Sequence, residues 1–415
     1  MSDTLSLSSG DQRSSSPLPW SLGRTPSSYV VSNVRVVLDD RVTDPASVVV
    51  ERGVIVAVVE RKHPLVGDVD GGGLVLMPGL IDVHSDALEK ERVPRPTAVL
   101  PWDFALASFE TKLVGAGVTT IFHGAAFQNK TAHGVTRTPT TALDICETVD
   151  RHRSARVDHR VDHRVLHRFA IRSEDGANSL RERLRAHAED AEPILLSHED
   201  HTPGQGQYAN VAHFVDARVA SGADRAEVTA QVARRMAEAH LTDHVREANF
   251  SWIEGLVRAG RVRLLGHDPD SAEAVDALVE RGGRVAEFPT TLEAARRARE
   301  VGLLVVAGAP NVLRGGSHSG NVAATELISH GLVDALASDY LPTGLLGSVA
   351  ALVRRGLTSL PEAVALVTAG PAAVAGLGDR GRIAPGLVAD FALVDDRTSW
   401  PHVVTTLKAH PLAVL

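Results

Sequence analysis

The middle of the chain alternates between short apolar runs and segments with apolar residues at helical spacing. One such segment places Leu106, Phe109 and Leu113 on a single helix face. This alternation is typical of parallel strands joined by crossover helices, and eight strands match a closed (β/α)8 barrel of the TIM type. The predicted strands span residues 79–84, 118–123, 168–173, 193–198, 261–267, 284–289, 303–309 and 333–339.

Both ends of the chain show a different pattern. Residues 29–60 form valine-rich runs broken by turn residues, and a turn at 381–386 precedes another apolar run. These patterns predict a small β-sandwich built from both termini. We expect three parts: a disordered Ser/Pro-rich tail at 1–27, the β-sandwich at 28–76 plus 378–415, and the barrel at 77–377.

Three further segments are predicted to be helical. Residues 218–260 exceed one crossover and indicate an insertion or paired helices near the barrel mouth. A Val-Asp-His-Arg repeat from Val157 to Arg164 has valines at every fourth position, which favours a surface helix with one apolar stripe over a metal site. Asp270 with Glu273 resembles the start of a helix.

Composition limits the class of protein. Hydrophobic residues make up 44% and charged residues 23%, as in globular proteins, and no apolar run approaches a membrane span. A net charge of −8 argues against a nucleic-acid surface, which needs clustered positive charge. The single Cys146 fits a reducing compartment. We therefore expect a cytoplasmic protein that binds neither nucleic acid nor membranes.

Polar residues of metal-ligand type follow the predicted strands. Functional groups of α/β barrels lie where strands end, and carboxylates buried together there would cost several kcal/mol without a neutralising cation. We therefore predict one or two divalent ions, with zinc, manganese, iron and cobalt not distinguished by ligand type. The predicted ligands are His84, Asp86, Glu174, His201, His267 and Asp339.

Two sets of motifs resemble the amidohydrolase superfamily. Residues 77–84 are similar to its first-strand signature, and residues 367–391 carry its C-terminal pattern. The common superfamily motif is His-x-His, whereas this chain has Asp86 in the place of the second histidine. Blocks at 94–96, 200–205, 287–291, 308–311, 314–321 and 338–340 resemble the ribosyl 5-triphosphate diphosphatases of the carbon–phosphorus lyase pathway. This resemblance implies hydrolysis of α-D-ribose 1-methylphosphonate 5-triphosphate to the 5-phosphate with release of pyrophosphate, in phosphonate catabolism.

The resemblance also constrains the mechanism. Many amidohydrolases bridge two metals with a carbamylated lysine on strand four, but no lysine lies between Lys130 and Lys408. A binuclear site then needs a carboxylate, for which Glu174 is the candidate, and a mononuclear site is the alternative. We expect Asp339 to orient the attacking water or take its proton, with His267 as its catalytic partner.

A glycine-containing loop after the seventh strand is the predicted phosphate cradle. Arg314 can bind phosphate bidentately, and adjacent glycines let backbone N–H groups approach an anion. We also predict that Asn321 begins a helix whose positive end favours phosphate. A flexible Gly/Ser loop is the alternative. The predicted substrate residues are Lys90, Arg95, Gln205, Arg314, Gly315, Gly316, Ser317, His318 and Asn321.

Two other functions remain open at the level of sequence. A cyclic-amide hydrolase or deaminase would use the same metal and Asp339 with a largely neutral pocket. A catalytically inactive interaction protein would be expected to have lost ligands. By analogy with relatives, we expect a phosphorylated small-molecule substrate and a possible homodimer.

Overall fold

A computed structural model describes residues 25–409, apart from 61–66, 133–134, 156–158, 188–191, 221 and 318–319. The predicted tail lies outside the described residues except for its last three positions. The strands are β1 (Tyr29–Val36), β2 (Ala46–Glu51), β3 (Val54–Glu60), β4 (Val69–Asp70), β5 (Val75–Pro78), β6 (Leu80–Ser85), β7 (Val118–Phe127), β8 (Lys130–Ala132), β9 (Val135–Arg137), β10 (Asp162–Ala170), β11 (Ile194–Glu199), β12 (Val262–His267), β13 (Val285–Glu287), β14 (Leu304–Gly308), β15 (Ala335–Ala337), β16 (Phe391–Asp395) and β17 (His402–Leu407).

Helices fill most of the connections between the barrel strands. Leu106, Phe109 and Leu113 are buried on one of them, as their spacing predicts. The helices are α1 (Ala87–Arg92), α2 (Trp102–Gly115), α3 (Pro139–Ser154), α4 (Glu174–Ala186), α5 (Val211–Ala220), α6 (Arg225–Leu241), α7 (Asp243–Arg258), α8 (Ala272–Glu280), α9 (Leu292–Glu300), α10 (Ala309–Arg314), α11 (Ala324–Ser329), α12 (Gly344–Arg354), α13 (Leu360–Ala365) and α14 (Ala369–Ala375).

Eight parallel strands form the predicted barrel, in the order β6, β7, β10, β11, β12, β13, β14, β15. A parallel bridge between Ser85 and Asp339 joins the first strand to the segment after the last. The Asp339 N–H donates to the His84 carbonyl at 2.9 Å, and the Asp86 N–H donates to the Asp339 carbonyl at 2.5 Å. These bonds bring three predicted ligands to the seam where the barrel closes.

One apolar cluster fills the barrel, with buried side chains from all eight strands. Because strand residues alternate between faces, each inward residue identifies the outward ones beside it. Inward residues include Ile81, Phe122, Leu166, Leu195, Leu265, Val285, Val306 and Ala335.

The third barrel strand is the main correction to the predicted elements. Seven predicted strands begin within two residues of those observed, but β10 begins at Asp162, six residues before the predicted start. The described part of the Val-Asp-His-Arg repeat enters this strand, so the surface-helix prediction is wrong; Val157 lies outside the described residues. A four-residue spacing also keeps side chains on one face of a strand, which explains the error.

Two helix predictions have different outcomes. The long segment after β11 is helical as predicted, forming α6 and α7, and Arg235 on α6 donates to the His201 carbonyl at the barrel mouth. By contrast, Ser271 rather than Asp270 caps α8, because its side chain accepts from the Ala274 N–H. The Asp270 carboxylate instead accepts from the Gly206 N–H at 2.7 Å.

Segments from both ends of the chain share a second sheet. Its order is β17, β16, β5, β1, β2, β3, with β4 beside β1. Strand β16 pairs antiparallel with β5, and only Gly79 separates β5 from the first barrel strand. Among the described residues, no helix combines the length and apolar character needed to cross a membrane.

Candidate metal centre at the barrel mouth

A buried carboxylate holds two histidines at the mouth. Glu287 on β13 contacts His84 Nδ1 at 2.8 Å and His267 Nδ1 at 2.7 Å, and it accepts a hydrogen bond from Ser197 Oγ at 2.6 Å. Burial alone would raise the pKa of Glu287, but these partners hold it well below its usual range. An ionised Glu287 can only accept, so both imidazoles donate from Nδ1 and present Nε2 as the free ligand atom.

His84, Asp86 and Asp339 form one candidate ligand group, with a ligand atom of each within 4.8 Å of the others. Asp86 Oδ1 lies 3.8 Å from His84 Nε2 and is buried without a hydrogen-bond partner among the described residues. Its other oxygen binds Arg168 and, at 2.8 Å, Arg137. Burial would raise the pKa of Asp86, but the two arginines lower it, so the unpaired oxygen belongs to an anionic carboxylate.

A second group combines His201, His267 and Asp268. Asp268 Oδ2 lies 3.4 Å from His267 Nε2 and 4.0 Å from His201 Nε2, and it too is buried without a partner among the described residues. Asp268 adopts a φ of 53°, in the left-handed region that side chains other than glycine seldom occupy. Such backbone strain is often found at functional positions.

Glu199, the last residue of the fourth barrel strand, supplies another anionic oxygen. One oxygen binds Arg168, and the other lies 3.6 Å from His201 Nδ1, buried without a hydrogen-bond partner in the described part of the chain. Burial would raise the pKa of Glu199, but Arg168 lowers it to about 2. Glu199 therefore has an anionic oxygen available beside the second ligand group.

These groups fit a divalent cation. Three buried carboxylate oxygens, on Asp86, Glu199 and Asp268, lack hydrogen-bond partners among the described residues and lie beside imidazole nitrogens. An unpaired buried anion costs several kcal/mol, whereas a metal ion would satisfy oxygen and nitrogen donors together. Imidazole and carboxylate are the donors used by zinc, manganese and iron sites.

Glu174 is not part of this arrangement. The third strand ends at Ala170, and Ser173 caps the following helix, so Glu174 lies exposed in the first turn of α4. Glu174 belongs to none of the candidate metal groups found among the described residues. Glu199 has an unpaired buried carboxylate oxygen beside His201, and it lies one residue beyond the predicted end of strand four.

Two predicted substrate residues converge beside Asp339. Arg314 donates to the Tyr340 hydroxyl at 3.1 Å, and the Lys90 ammonium lies 5.0 Å from the centre of the Tyr340 ring. Tyr340 directly follows Asp339, so both cations lie near the rim of the candidate metal centre. Arg95 is exposed in the segment after α1.

The predicted phosphate loop has a different local structure from the one expected. Gly315 ends α10 with a φ of 78°, and Gly316 and Ser317 follow it, while His318 lies outside the described residues. Asn321 does not begin a helix, because α11 starts at Ala324 and has only six residues. The helix-end argument for phosphate binding is therefore wrong at this position.

The opposite rim carries Gln205 and further cations. The Gln205 amide nitrogen is buried without a hydrogen-bond partner in the described structure. Lys130 interacts electrostatically with Glu199 and with the charge of Arg235, and burial lowers the Lys130 pKa to about 8. Sequence analysis did not identify Lys130, Arg137, Arg168 or Arg235. They belong to strands and helices, and the sequence does not show which of their side chains point towards the barrel mouth.

Because a carboxylate ends strand four, we expect metal loading to be independent of bicarbonate. Stripped protein should regain full activity with metal in carbonate-free buffer, and Glu199→Gln should weaken metal binding, since a neutral amide oxygen is a poorer ligand. Metal content and activity measured with and without bicarbonate test this. Reactivation that requires bicarbonate would contradict it, and Glu174→Gln serves as the matched control.

Comparisons with known proteins agree with this architecture. A family model described as amidohydrolase family matches residues 175–409. The α-D-ribose 1-methylphosphonate 5-triphosphate diphosphatase of Escherichia coli (strain K12) is 33% identical over 379 residues, covering 90% of this chain and 97% of the relative.

Solved structures share the fold at lower identity. A 5-methylcytosine deaminase from Klebsiella pneumoniae has a TM-score of 0.60 at 14% identity, covering 93% of this chain and 97% of its own. A dihydropyrimidinase from Brevibacillus agri has a TM-score of 0.54 at 15% identity, with 92% and 94% covered. The chain therefore belongs to the amidohydrolase family, in the group that includes α-D-ribose 1-methylphosphonate 5-triphosphate diphosphatase.

Proposed function

We propose that this protein hydrolyses α-D-ribose 1-methylphosphonate 5-triphosphate to the 5-phosphate and pyrophosphate, as a step in phosphonate breakdown. The observation that carries the proposal is the relationship to the Escherichia coli enzyme, which extends over 97% of that enzyme at 33% identity. The barrel mouth supports it, since it combines candidate metal ligands with several cationic side chains.

The metal ligands we propose are His84, Asp86, His201, His267 and Asp339. Asp268 is added because it groups with His201 and His267, and Glu199 because its unpaired buried oxygen lies 3.6 Å from His201 Nδ1. A bound divalent ion would lower the pKa of a water molecule from ~15.7 towards ~7 and polarise a phosphoryl oxygen. Glu287 orients two of the imidazoles, and Arg168 fixes both Asp86 and Glu199 through one guanidinium.

Asp339 is the proposed proton acceptor. Backbone hydrogen bonds with His84 and Asp86, at the end of the first strand, fix the position of Asp339. Burial together with the charge of Asp86 raises the pKa of Asp339. A raised pKa brings a carboxylate closer to the operating pH and makes it a stronger base. His267 lies in the adjoining ligand group, where we propose that it supports the same water.

The cations around the mouth favour a polyphosphate over a neutral cyclic amide. Lys130 is drawn into a partly buried position next to Glu199, and Lys90 and Arg314 meet at Tyr340 on the other rim. Holding the partly buried Lys130 cation is costly, and an uncharged substrate would not offset that cost, whereas a triphosphate would; Lys90 and Arg314 are exposed and add positive charge at the rim. We propose Lys90, Arg95, Gln205 and the 314–321 loop as the substrate side of the site.

The product pattern tests the proposal. Metal-loaded protein is incubated separately with the ribosyl triphosphate, ATP and dihydrouracil, and pyrophosphate, orthophosphate and ring opening are assayed. We expect pyrophosphate from the ribosyl triphosphate as the dominant reaction. Turnover of dihydrouracil without triphosphate hydrolysis would overturn the proposal in favour of the cyclic-amide alternative.

Arg314→Ala is expected to lower kcat/KM for the triphosphate by one to two decades, because a charge-assisted contact contributes roughly 1.5–3 kcal/mol. The loss should be smaller for a monophosphate, which does not reach the rim. Arg314→Lys should recover part of it, since lysine keeps the charge without the planar fork. Arg296→Ala, an exposed arginine on α9, is the control. Equal losses on both substrates would mean that Arg314 only supports the mouth.

A further inference from the structure

A second cluster of histidines lies on the outer wall of the barrel, beneath two helices. His123 on β7 and His163 on β10 are fully buried. Their strand neighbours Phe122 and Leu166 point inward, so the histidines point outward by strand alternation. His163 precedes the mouth end of β10 by seven residues, or about 23 Å at ~3.3 Å per residue. This cluster is therefore separate from the candidate metal centre.

Three side chains of the cluster converge on one point. Glu110 Oε2 on α2 lies 3.3 Å from His163 Nε2 and 3.4 Å from His152 Nε2 on α3. Ligand atoms bound to zinc at ~2.0–2.1 Å in a tetrahedron are about 3.3 Å apart. The two measured separations therefore match the edges of a tetrahedral zinc site, and all three ligand atoms lie within 4.8 Å of one another.

His123 contacts the second ring nitrogen of His163. Its Nε2 lies 2.8 Å from His163 Nδ1, which leaves His163 Nε2 free to face Glu110 and His152. Metal-binding histidines usually bond through the second ring nitrogen in this way, which fixes the ring and selects the ligand atom. His152 Nε2 is buried, and its ion-pair partner among the described residues is Glu110 Oε2 at 3.4 Å.

The cluster is accessible to an ion from one side. The His152 and Glu110 side chains are 24% and 16% exposed, whereas His163 is fully buried. His159 is partly buried, and its ring centre lies 4.3 Å from that of His152. A fourth coordination position therefore faces His159 and solvent.

We propose that Glu110, His152 and His163 bind a second divalent transition-metal ion, best suited to zinc, with water or His159 as fourth ligand. The ion would join α2 to the consecutive elements α3 and β10, and its role would be structural. This site goes beyond the proposed hydrolase function and does not depend on it.

Metal stoichiometry tests the proposal. His152→Gln and Glu110→Gln each remove one ligand near the exposed side of the cluster, and His330→Gln on an exposed turn is the matched control. After zinc loading and gel filtration, wild type and His330→Gln should hold one more equivalent per chain than either cluster variant, with kcat unchanged in all four. Equal zinc content in all four proteins would overturn the proposal.

Thermal unfolding gives a second measurement that does not depend on activity. Zinc at a hundredfold excess over Kd should raise Tm by about 3 °C in a chain of this size through this site. That increment should be absent from both cluster variants. Cobalt loading should give a tetrahedral absorption band that is lost in His152→Gln, and an octahedral spectrum unaffected by the substitution would mean adventitious surface binding only.

Discussion

Asp339→Asn is expected to lower kcat by roughly three orders of magnitude. General-base catalysis by a positioned carboxylate contributes about 10²–10⁴-fold, and asparagine keeps the shape of the side chain but cannot accept the proton. The φ of 55° and the backbone bonds to His84 and Asp86 hold the residue in place independently of its charge. The effect should therefore fall on kcat with little change in fold.

Asp334→Asn is the matched control for this substitution. Asp334 directly precedes β15 at the opposite end from Asp339, where its carboxylate accepts from Arg299 and from the Val305 N–H. The control should reduce stability without reducing kcat. Steady-state kinetics and metal analysis of both variants separate a catalytic role from a structural one. If kcat of Asp339→Asn stays within tenfold of wild type, Asp339 is not the base.

The barrel could be predicted from sequence because its strands are buried and strongly apolar. The third strand was misplaced because its histidines and arginines break the apolar run, although His163 and Arg168 are both buried. Histidine and arginine indicate a surface only when nothing inside the protein pairs with them. Here Glu110 pairs with His163, and Asp86 and Glu199 pair with Arg168.

The structure brings five residues selected from the sequence into candidate ligand groups at the barrel mouth, and the further carboxylates there were harder to find. His84, Asp86, His201, His267 and Asp339 could be found because residues at strand ends share one barrel face. Glu199 and Glu287 are themselves the last residues of strands: Glu199 lies one residue beyond the predicted end of its strand, and Glu287 lies inside the predicted run 284–289. Which face Glu287 points to depends on strand register, which an apolar run does not specify.

The orienting role of Glu287 leads to the second large prediction. In Glu287→Gln, the amide oxygen can accept from only one imidazole, and the amide N–H groups oppose the other donors in a buried setting. Loss of one orienting partner typically weakens metal binding 10–100-fold. Because Glu287→Gln keeps an acceptor for only one of His84 and His267, we expect metal affinity to fall by about 10–100-fold.

Ser197→Ala is the control, because it removes one hydrogen bond to Glu287 and leaves both imidazole contacts intact. Chelator competition should show a metal affinity within about threefold of wild type for Ser197→Ala, since a single neutral partner is lost. Excess metal should partly restore the activity of Glu287→Gln. It should not restore Asp339→Asn, because that variant lacks the proton acceptor even when excess metal compensates for the weakened ligand. Wild-type metal affinity in Glu287→Gln would show that the two histidines are oriented by other contacts or do not bind the metal.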